Sequence, residues 1–167
     1  MKPRPPVDCL LLLGGNVGRR KARLLGALKG LDASPRSKLA AKSRVYETAP
    51  VGPSGRRYLN MAVKLSTSLS PMGLLVECKR LEAAAGRRPG RRWGPRALDI
   101  DILSYGRRRV RSAWLRIPHP RAAGRAFALA PLADIAPAWK PRGGRSVRAL
   151  LKRLNPGPGT VRILADV

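Results

Sequence analysis

The sequence predicts a layered α+β domain rather than a doubly wound parallel sheet. Its helical and strand-like segments are mixed, and they do not follow the regular strand-helix-strand alternation that a parallel sheet requires. The chain has 167 residues, 44% of them hydrophobic, which is enough to bury one core. We therefore expect a single domain over residues 1–167, with residues 1–7 as a flexible tail.

The first part of the chain predicts a strand followed by a helix. The apolar run of residues 8–13 ends at the turn signal Gly14-Gly15-Asn16, which indicates a short buried strand. Leucines recur at helical spacing within residues 17–31, with basic residues on the other side, and predict an amphipathic helix. Three segments follow, namely an extended stretch, a loop rich in Pro and Gly, and an alternating strand, at residues 38–46, 48–55 and 58–67.

The second part begins with a helix whose two ends are both marked. Ser70 is suited to cap it, Pro71 to occupy its first turn, and Gly86 to end it. The remaining predicted elements are a strand, a short hairpin, a mostly helical segment, a short amphipathic helix and a last strand, at residues 98–105, 107–116, 121–135, 146–154 and 161–164.

Two carboxylates lie two residues apart in the strand predicted at residues 98–105. Asp99 and Asp101 are two of only nine acidic residues, against 35 Lys and Arg. Successive strand residues point to opposite faces, so the two carboxylates share one face, roughly 7 Å apart, and their apolar neighbours share the other. Because like charges this close repel, we expect a divalent cation or nearby arginines to neutralise them.

Several arginines precede this pair, including Arg87, Arg88 and Arg96. Carboxylates that hold Mg²⁺, together with guanidinium groups that neutralise phosphate charge, are the groups used in phosphoryl transfer. The alternative is a strand whose solvent-facing side carries ordinary surface acids. No Walker A sequence is present, since Gly14-Gly15-Asn16 lacks the following Gly-Lys-Ser/Thr.

Three further residues are candidates for a functional site. His119 is the only histidine and lies between two prolines, which suits either a donor aimed at a phosphate or a structural role. Asn60 could cap a turn or read the edge of a heterocycle. Phe127 is the only phenylalanine, and burial preferences favour a place in the core.

The formal net charge of +26 makes nucleic acid, an anionic membrane or a polyphosphate the natural partners. The basic residues are spread along the chain, so nonspecific affinity for polyanions is the simpler interpretation. Cys9 and Cys78 lie in apolar segments without a metal-binding spacing, which favours buried reduced thiols and a cytoplasmic location. The apolar run at residues 9–13 is too short for a signal segment or a membrane span, so we expect no membrane partner.

Five sequence blocks occur in one order along the chain. The first four lie at residues 13–18, 43–52, 58–60 and 92–103, and the fifth combines residues 118–120 with residues 125–127. The most specific is Arg-Trp-Gly-Pro-Arg followed by Leu-Asp-Ile-Asp. Together the blocks resemble the 6-hydroxymethyl-7,8-dihydropterin pyrophosphokinase family of folate biosynthesis. The resemblance implies a ferredoxin-like fold, with a mainly antiparallel sheet flanked by helices in a three-layer α-β-α arrangement.

The resemblance also implies a reaction. The β,γ-pyrophosphoryl group of ATP would pass to the hydroxymethyl group of 6-hydroxymethyl-7,8-dihydropterin, with release of AMP. Two Mg²⁺ ions would be the cofactors and Asp99 and Asp101 their ligands, with Arg87 and Arg96 as further catalytic residues. We expect a monomer whose partners are ATP and the pterin. The competing interpretation is a highly basic, non-enzymatic RNA-binding protein.

Two substrate sites follow from the same resemblance. ATP contacts are implied for Glu82, Arg87, Trp93, Arg96, Arg116, His119 and Arg125. Pterin contacts are implied for Gly14, Thr48, Ala49, Val51, Tyr58, Asn60, Asp99 and Phe127.

Overall fold

The main sheet has six strands in the part of the chain that the structure describes, and they all pair in the antiparallel sense. The structure is a computed structural model, and it describes residues 4–50, 55–88, 90, 94–141 and 143–164. The strands of the protein are β1 (Val7–Gly15), β2 (Ser37–Lys42), β3 (Tyr46–Thr48), β4 (Tyr58–Thr67), β5 (Asp99–Tyr105), β6 (Val110–Arg111), β7 (Arg116–Ile117) and β8 (Val161–Ile163). The main sheet has the order β5-β1-β4-β3-β8, with β2 beside the far half of β4. Strands β6 and β7 form a separate hairpin.

Helices cover both faces of this sheet. They are α1 (Arg20–Ala33), α2 (Pro71–Ala84), α3 (Ala126–Ile135) and α4 (Val147–Leu154), and a 3-10 turn at Ala122–Gly124 precedes α3. On one face Cys9, Leu11 and Leu13 of β1 pack with α1 and α2. On the other, Leu10 and Leu12 pack with α3 and α4. Strand alternation thus divides β1 between two cores, and the predicted α-β-α layers are confirmed.

Most elements lie where the sequence places them. Strand β4 has the predicted bounds, and β6 and β7 form the expected hairpin. The Ser70 hydroxyl accepts a hydrogen bond from the Gly73 N–H at 3.0 Å, and Pro71 is the first residue of α2. The same serine-cap rule holds at α4, where Ser146 accepts from the Ala149 N–H.

Three boundaries differ from the prediction. Val7 lies in β1, inside the stretch of residues 1–7 for which the sequence predicts a flexible tail. Helix α1 begins at Arg20, because Gly18 has φ +68°, which a helix does not allow. The extended stretch predicted at 38–46 is two strands, since Ser43 interrupts it. The Ser43 hydroxyl accepts from the Ala62 N–H and its own N–H donates to the Ala62 carbonyl, both at 2.9 Å.

Both cysteines are buried and free, as predicted. Burial raises the pKa of each thiol, Cys9 and Cys78, to about 12, so neither carries a thiolate near neutral pH. Among the described residues no helix is long and apolar enough to cross a membrane.

Candidate active site

A cavity of about 270 Å³ opens at the end of the sheet where β1, β3, β4 and β5 meet the chain before α3. Its walls combine carboxylates, basic side chains, two aromatic rings and an amide. The residues that line it are Leu12, Gly14, Thr48, Ala49, Tyr58, Asn60, Arg96, Asp99, Asp101, His119, Arg121, Arg125 and Phe127.

Asp99 and Asp101 both face this cavity from β5. Ile100 and Ile102 point the other way, into the core beneath α1 and α2. The alternation predicted from the sequence is therefore confirmed. Burial, and then the neighbouring charge of Asp99, raise the pKa of Asp101 well above its usual range. A cation placed between the two carboxylates would remove this repulsion.

Two arginines contact Asp99. The Arg87 guanidinium lies 2.6 Å from Asp99 Oδ1, and that of Arg96 lies 3.8 Å from Asp99 Oδ2. Arg96 lines the cavity, whereas Arg87 approaches Asp99 from the end of α2. Asp99 is thus the carboxylate that arginines neutralise, and Asp101 is the one left with a raised pKa.

Glu82 is a buried anchor beneath this pair, with its side chain only 2% exposed. Its carboxylate accepts from the Ile100 N–H of β5 at 2.8 Å and lies 2.5 Å from the Arg87 guanidinium. Lys79 on the same helix also binds it. Glu82 therefore ties α2, Arg87 and β5 together, although neither Glu82 nor Arg87 lines the cavity among the described residues.

Asn16 binds the backbone of Arg96 through two hydrogen bonds. The sequence identifies it only as part of the turn after β1. Its side-chain oxygen accepts from the Arg96 N–H at 2.7 Å, and its own N–H donates to the Arg96 carbonyl at 2.9 Å. Its side-chain nitrogen is buried without a hydrogen-bond partner in the described part of the chain. The turn sequence that ends β1 was the available signal, but only the fold brings it to Arg96.

The cavity wall also has an amide beside a glycine. The Asn60 side-chain N–H donates to the Thr48 hydroxyl at 2.7 Å. A Cβ at Gly14 would lie 2.6 Å from Asn60 Oδ1, so only glycine leaves that oxygen room. Tyr58 and Phe127 also line the cavity, and the Arg125 guanidinium lies 5.3 Å from the centre of the Phe127 ring. Phe127 is only partly buried, so the expectation of a core residue holds only in part.

His119 lies on the cavity wall, where a lowered pKa favours its neutral form. Its Nδ1 accepts from the Arg121 N–H at 3.2 Å, and its own backbone N–H donates to the Leu103 carbonyl at 3.0 Å. Burial, then the charges of Arg125 and Arg121, lower its pKa. With Nδ1 as acceptor the neutral ring carries its proton on Nε2, which can donate. Arg121 follows His119 closely in the sequence but was not predicted as a site residue.

The remaining predicted residues do not all meet at the cavity. Arg116 is exposed on β7 and is not among its described lining residues. Trp93 and Val51 lie outside the described residues. In the described part of the chain no group of three or more His, Cys, Asp and Glu is placed to hold a metal ion. The protein would thus supply two carboxylates, and other ligands would have to come from substrate or water.

A model of the 7,8-dihydro-6-hydroxymethylpterin-pyrophosphokinase (HPPK) family matches residues 10–137. The chain belongs to this family. It is 45% identical over 145 residues to a 2-amino-4-hydroxy-6-hydroxymethyldihydropteridine pyrophosphokinase of Methylorubrum extorquens, covering 86% of this chain and 91% of the relative. A Synechocystis protein of the same name is 39% identical over 163 residues, covering 93% and 84%. The predicted pyrophosphokinase class is confirmed, and the non-enzymatic RNA-binding alternative is not supported.

Solved HPPK-containing structures share the fold. One Plasmodium falciparum HPPK-DHPS structure matches with a TM-score of 0.73 and 16% identity, covering 92% of this chain and 44% of its own. Another matches with a TM-score of 0.71 and covers 91% and 46%. The chain therefore spans less than half of those proteins. At this identity the likeness supports the ferredoxin-like fold, as the sequence predicted.

Proposed function

We propose that this HPPK-family chain transfers the β,γ-pyrophosphoryl group of ATP to the hydroxymethyl oxygen of 6-hydroxymethyl-7,8-dihydropterin and releases AMP. The hydroxyl oxygen bonds to the β-phosphorus, and the bond from that phosphorus to the oxygen bridging to the α-phosphorus breaks. AMP keeps the bridging oxygen, and the hydroxyl proton passes to solvent. The enzyme names of the relatives support this choice of substrates.

The observation that carries the proposal is the placement of Asp99 and Asp101 on the wall of the same cavity as Asn60 and Gly14. The two carboxylates form a charged end, suited to polyphosphate with its cations. The amide and the bare glycine, which is paired with Asp99 across the β1–β5 ladder, form a polar wall suited to a flat heterocycle. A cavity with both features can hold donor and acceptor close together, which supplies much of the rate enhancement in such transfers.

The carboxylate pair fits Mg²⁺. Magnesium takes oxygen ligands and binds through one or two carboxylates together with substrate phosphates, which matches a site that offers only two acids. Asp99 and Asp101 would hold it, and two ions are proposed from the family resemblance. Mg²⁺ held there would supply Lewis-acid neutralisation of phosphate charge.

Basic groups on the cavity wall supply the rest of the phosphate site. Arg96 is held at its backbone by Asn16 and faces the carboxylates, so its guanidinium is placed to contact phosphate. Arg121 and Arg125 lie beside His119, whose Nε2–H can donate without adding charge. We assign these groups to binding and orienting ATP. Glu82 and Arg87 are assigned to positioning β5 and Asp99.

At the other end we assign the pterin to the space between Tyr58 and Phe127. Aromatic faces pack well against a flat ring system. The Asn60 oxygen, whose amide is oriented by its bond to Thr48, is placed to accept from ring N–H groups. Backbone groups at Thr48 and Ala49 would complete this edge.

The direct test is to separate the nucleotide products after incubation with ATP, Mg²⁺ and the pterin. The expected product is AMP, formed only when the pterin is present and in equal amount to the pterin pyrophosphate. ADP as the product, or AMP formed equally without the pterin, would contradict the proposal. Asp99→Asn protein is the control for contaminating activity, since the amide has nearly the shape of the carboxylate but removes a proposed metal ligand.

A further inference from the structure

Glu47 is a buried acid that the proposed reaction does not use. It is 6% exposed and lies in β3 between Tyr46 and Thr48. Because side chains alternate along a strand, it points away from the cavity that Thr48 lines. Three guanidinium groups from different parts of the chain contact its carboxylate. They belong to Arg20, Arg57 and Arg162.

Each of these arginines comes from a separate element, so Glu47 joins four parts of the fold. Arg20 is the first residue of α1, and its guanidinium also donates to the Arg57 carbonyl at 2.8 Å. Arg57 directly precedes β4 and donates to the Gly159 carbonyl at 2.7 Å. Arg162 lies in the centre of β8. The hydrogen bonds of Arg162 lower the pKa of Glu47, which keeps it charged.

Backbone hydrogen bonds place β8 directly against the wall of the cavity. Val161 is paired with Thr48 in the β3–β8 ladder. The Ala49 N–H donates to the Thr160 carbonyl at 2.9 Å, and the Leu164 N–H donates to the Val45 carbonyl at 2.8 Å. Residues 45–49 are thus held at both ends by the C-terminal segment. This segment lies beyond residues 10–137, which the family model matches.

We propose that β8, clamped to Glu47 through Arg162, positions Thr48 and Ala49 for pterin binding. This inference rests on the proposed function, which places the pterin against these two residues. Thr48 in turn orients the Asn60 amide, so a displaced β3 would misdirect the group that reads the heterocycle. The carboxylates and basic groups of the ATP end belong to other elements. Glu47 and Arg162 are therefore positioning residues for the acceptor substrate only.

The test compares Glu47→Gln and Arg162→Ala with a matched control, Glu77→Gln. Glu77 pairs with Arg80 on the outer surface of α2, so Glu77→Gln also removes an arginine contact, but far from β3 in the sequence. The measurements are the Kd of the pterin with a nonhydrolysable ATP analogue present, and the Kd of that analogue alone. Binding needs no turnover, so an inactive wild-type chain that still binds the pterin would contradict the proposed function without affecting this test.

We expect the pterin Kd to rise about tenfold in Glu47→Gln, a change of about 1.4 kcal/mol. Arg162→Ala should shift it in the same direction, and Arg162→Lys should partly restore it. The ATP-analogue Kd should stay within about twofold of wild type, and Glu77→Gln should match wild type. Unchanged pterin affinity in both Glu47→Gln and Arg162→Ala would overturn the inference. Equal loss of both ligands would also overturn it, since that indicates general disruption.

Glu47→Gln could unfold the chain, because it leaves arginines around a neutral buried group. Arg162→Ala guards against this, since its side chain is 63% exposed on the last strand. If Glu47→Gln does not fold, the result for Arg162→Ala alone decides between the two outcomes.

Discussion

The Arg87 guanidinium forms an ion pair with Asp99 at 2.6 Å while it also contacts the buried Glu82 at 2.5 Å. One side chain thus connects a buried acid in α2 to a carboxylate on the cavity wall. Since Glu82 also accepts from the Ile100 N–H, the same cluster sets the position of β5 beside Asp99. Asp99 is neutralised by this contact, whereas Asp101 has no such partner in the described residues.

Arg87 binds a buried acid as well as Asp99, whereas Arg96 lines the cavity, so removing each arginine should affect activity and stability differently. Arg96→Ala should lower kcat by roughly 10²–10³-fold, the range for loss of one group that stabilises transition-state charge. Arg87→Ala should lower kcat less and also lower the melting temperature, because it leaves Glu82 and Asp99 without their shared partner. Steady-state kinetics and thermal unfolding measure both. Arg80→Ala, on the outer surface of α2, is the control. Equal kinetic effects for Arg80→Ala and Arg96→Ala would contradict the assignment.

Asp101→Asn should remove activity but stabilise the metal-free protein. The pKa of Asp101 is raised in the folded state, so its ionised form opposes folding above that pKa. The penalty disappears as the pH falls below the unfolded-state pKa. The free energy of unfolding should therefore increase by about 3 kcal/mol at pH 8, because the pKa of Asp101 is raised from 3.8 to about 6 and one pKa unit is worth about 1.4 kcal/mol. Near pH 3.5 the gain should vanish.

Urea denaturation of both proteins at the two pH values measures this gain. Glu77→Gln is the control, and its effect on the free energy of unfolding should have the opposite sign. The contact with Arg80 lowers the pKa of Glu77 and so stabilises its charged form. We expect a small loss of stability there, about 0.2–1 kcal/mol. A destabilised Asp101→Asn at pH 8 would show that the carboxylate has a compensating partner.

Magnesium binding should release a proton at mildly acidic pH. The pKa of Asp101 is raised by burial and by Asp99, and a bound cation favours the ionised form. Titration of Mg²⁺ with the ATP analogue at pH 6, in buffers of different ionisation enthalpy, should therefore show more proton release for wild type than for Asp101→Asn. Subtracting the proton release of Asp101→Asn from that of wild type removes the protons that come from the nucleotide. At pH 8 the two proteins should release the same number.

Gly14→Ala should selectively weaken binding of the pterin. The added Cβ would lie 2.6 Å from Asn60 Oδ1, inside any normal contact, so the amide must move. We expect the KM for the pterin to rise about tenfold, with the KM for ATP changed less than about twofold. Gly26→Ala in α1 is the matched control, because a Cβ there meets nothing within 4 Å.

Gly26→Ala should leave both KM values unchanged and stabilise α1 by about 0.5–1 kcal/mol. Steady-state kinetics with each substrate varied in turn, together with thermal unfolding, separate these effects. An equal rise in both KM values for Gly14→Ala would argue against a local effect on the pterin end.

Local sequence patterns predict most of the helices and strands and the faces of β5. Alternation placed Asp99 and Asp101 together, and the Ser70-Pro71 cap located the start of α2, because both features depend on backbone geometry over a few residues. The interruption by Ser43 was not predicted, because its bonds to Ala62 join positions 19 residues apart.

Which charged groups pair depends on how the strands and helices come together in the fold. Local patterns cannot show that Arg162 reaches Glu47 across 115 positions, that Asn16 holds Arg96, or that Arg87 pairs with Asp99. Such contacts depend on the order of the strands and on which edge each helix end approaches. In a chain with 35 basic residues almost any acid has many possible partners, so burial and strand order select the actual ones. The carboxylate pair was therefore visible in the sequence, whereas the supports that hold its cavity were not.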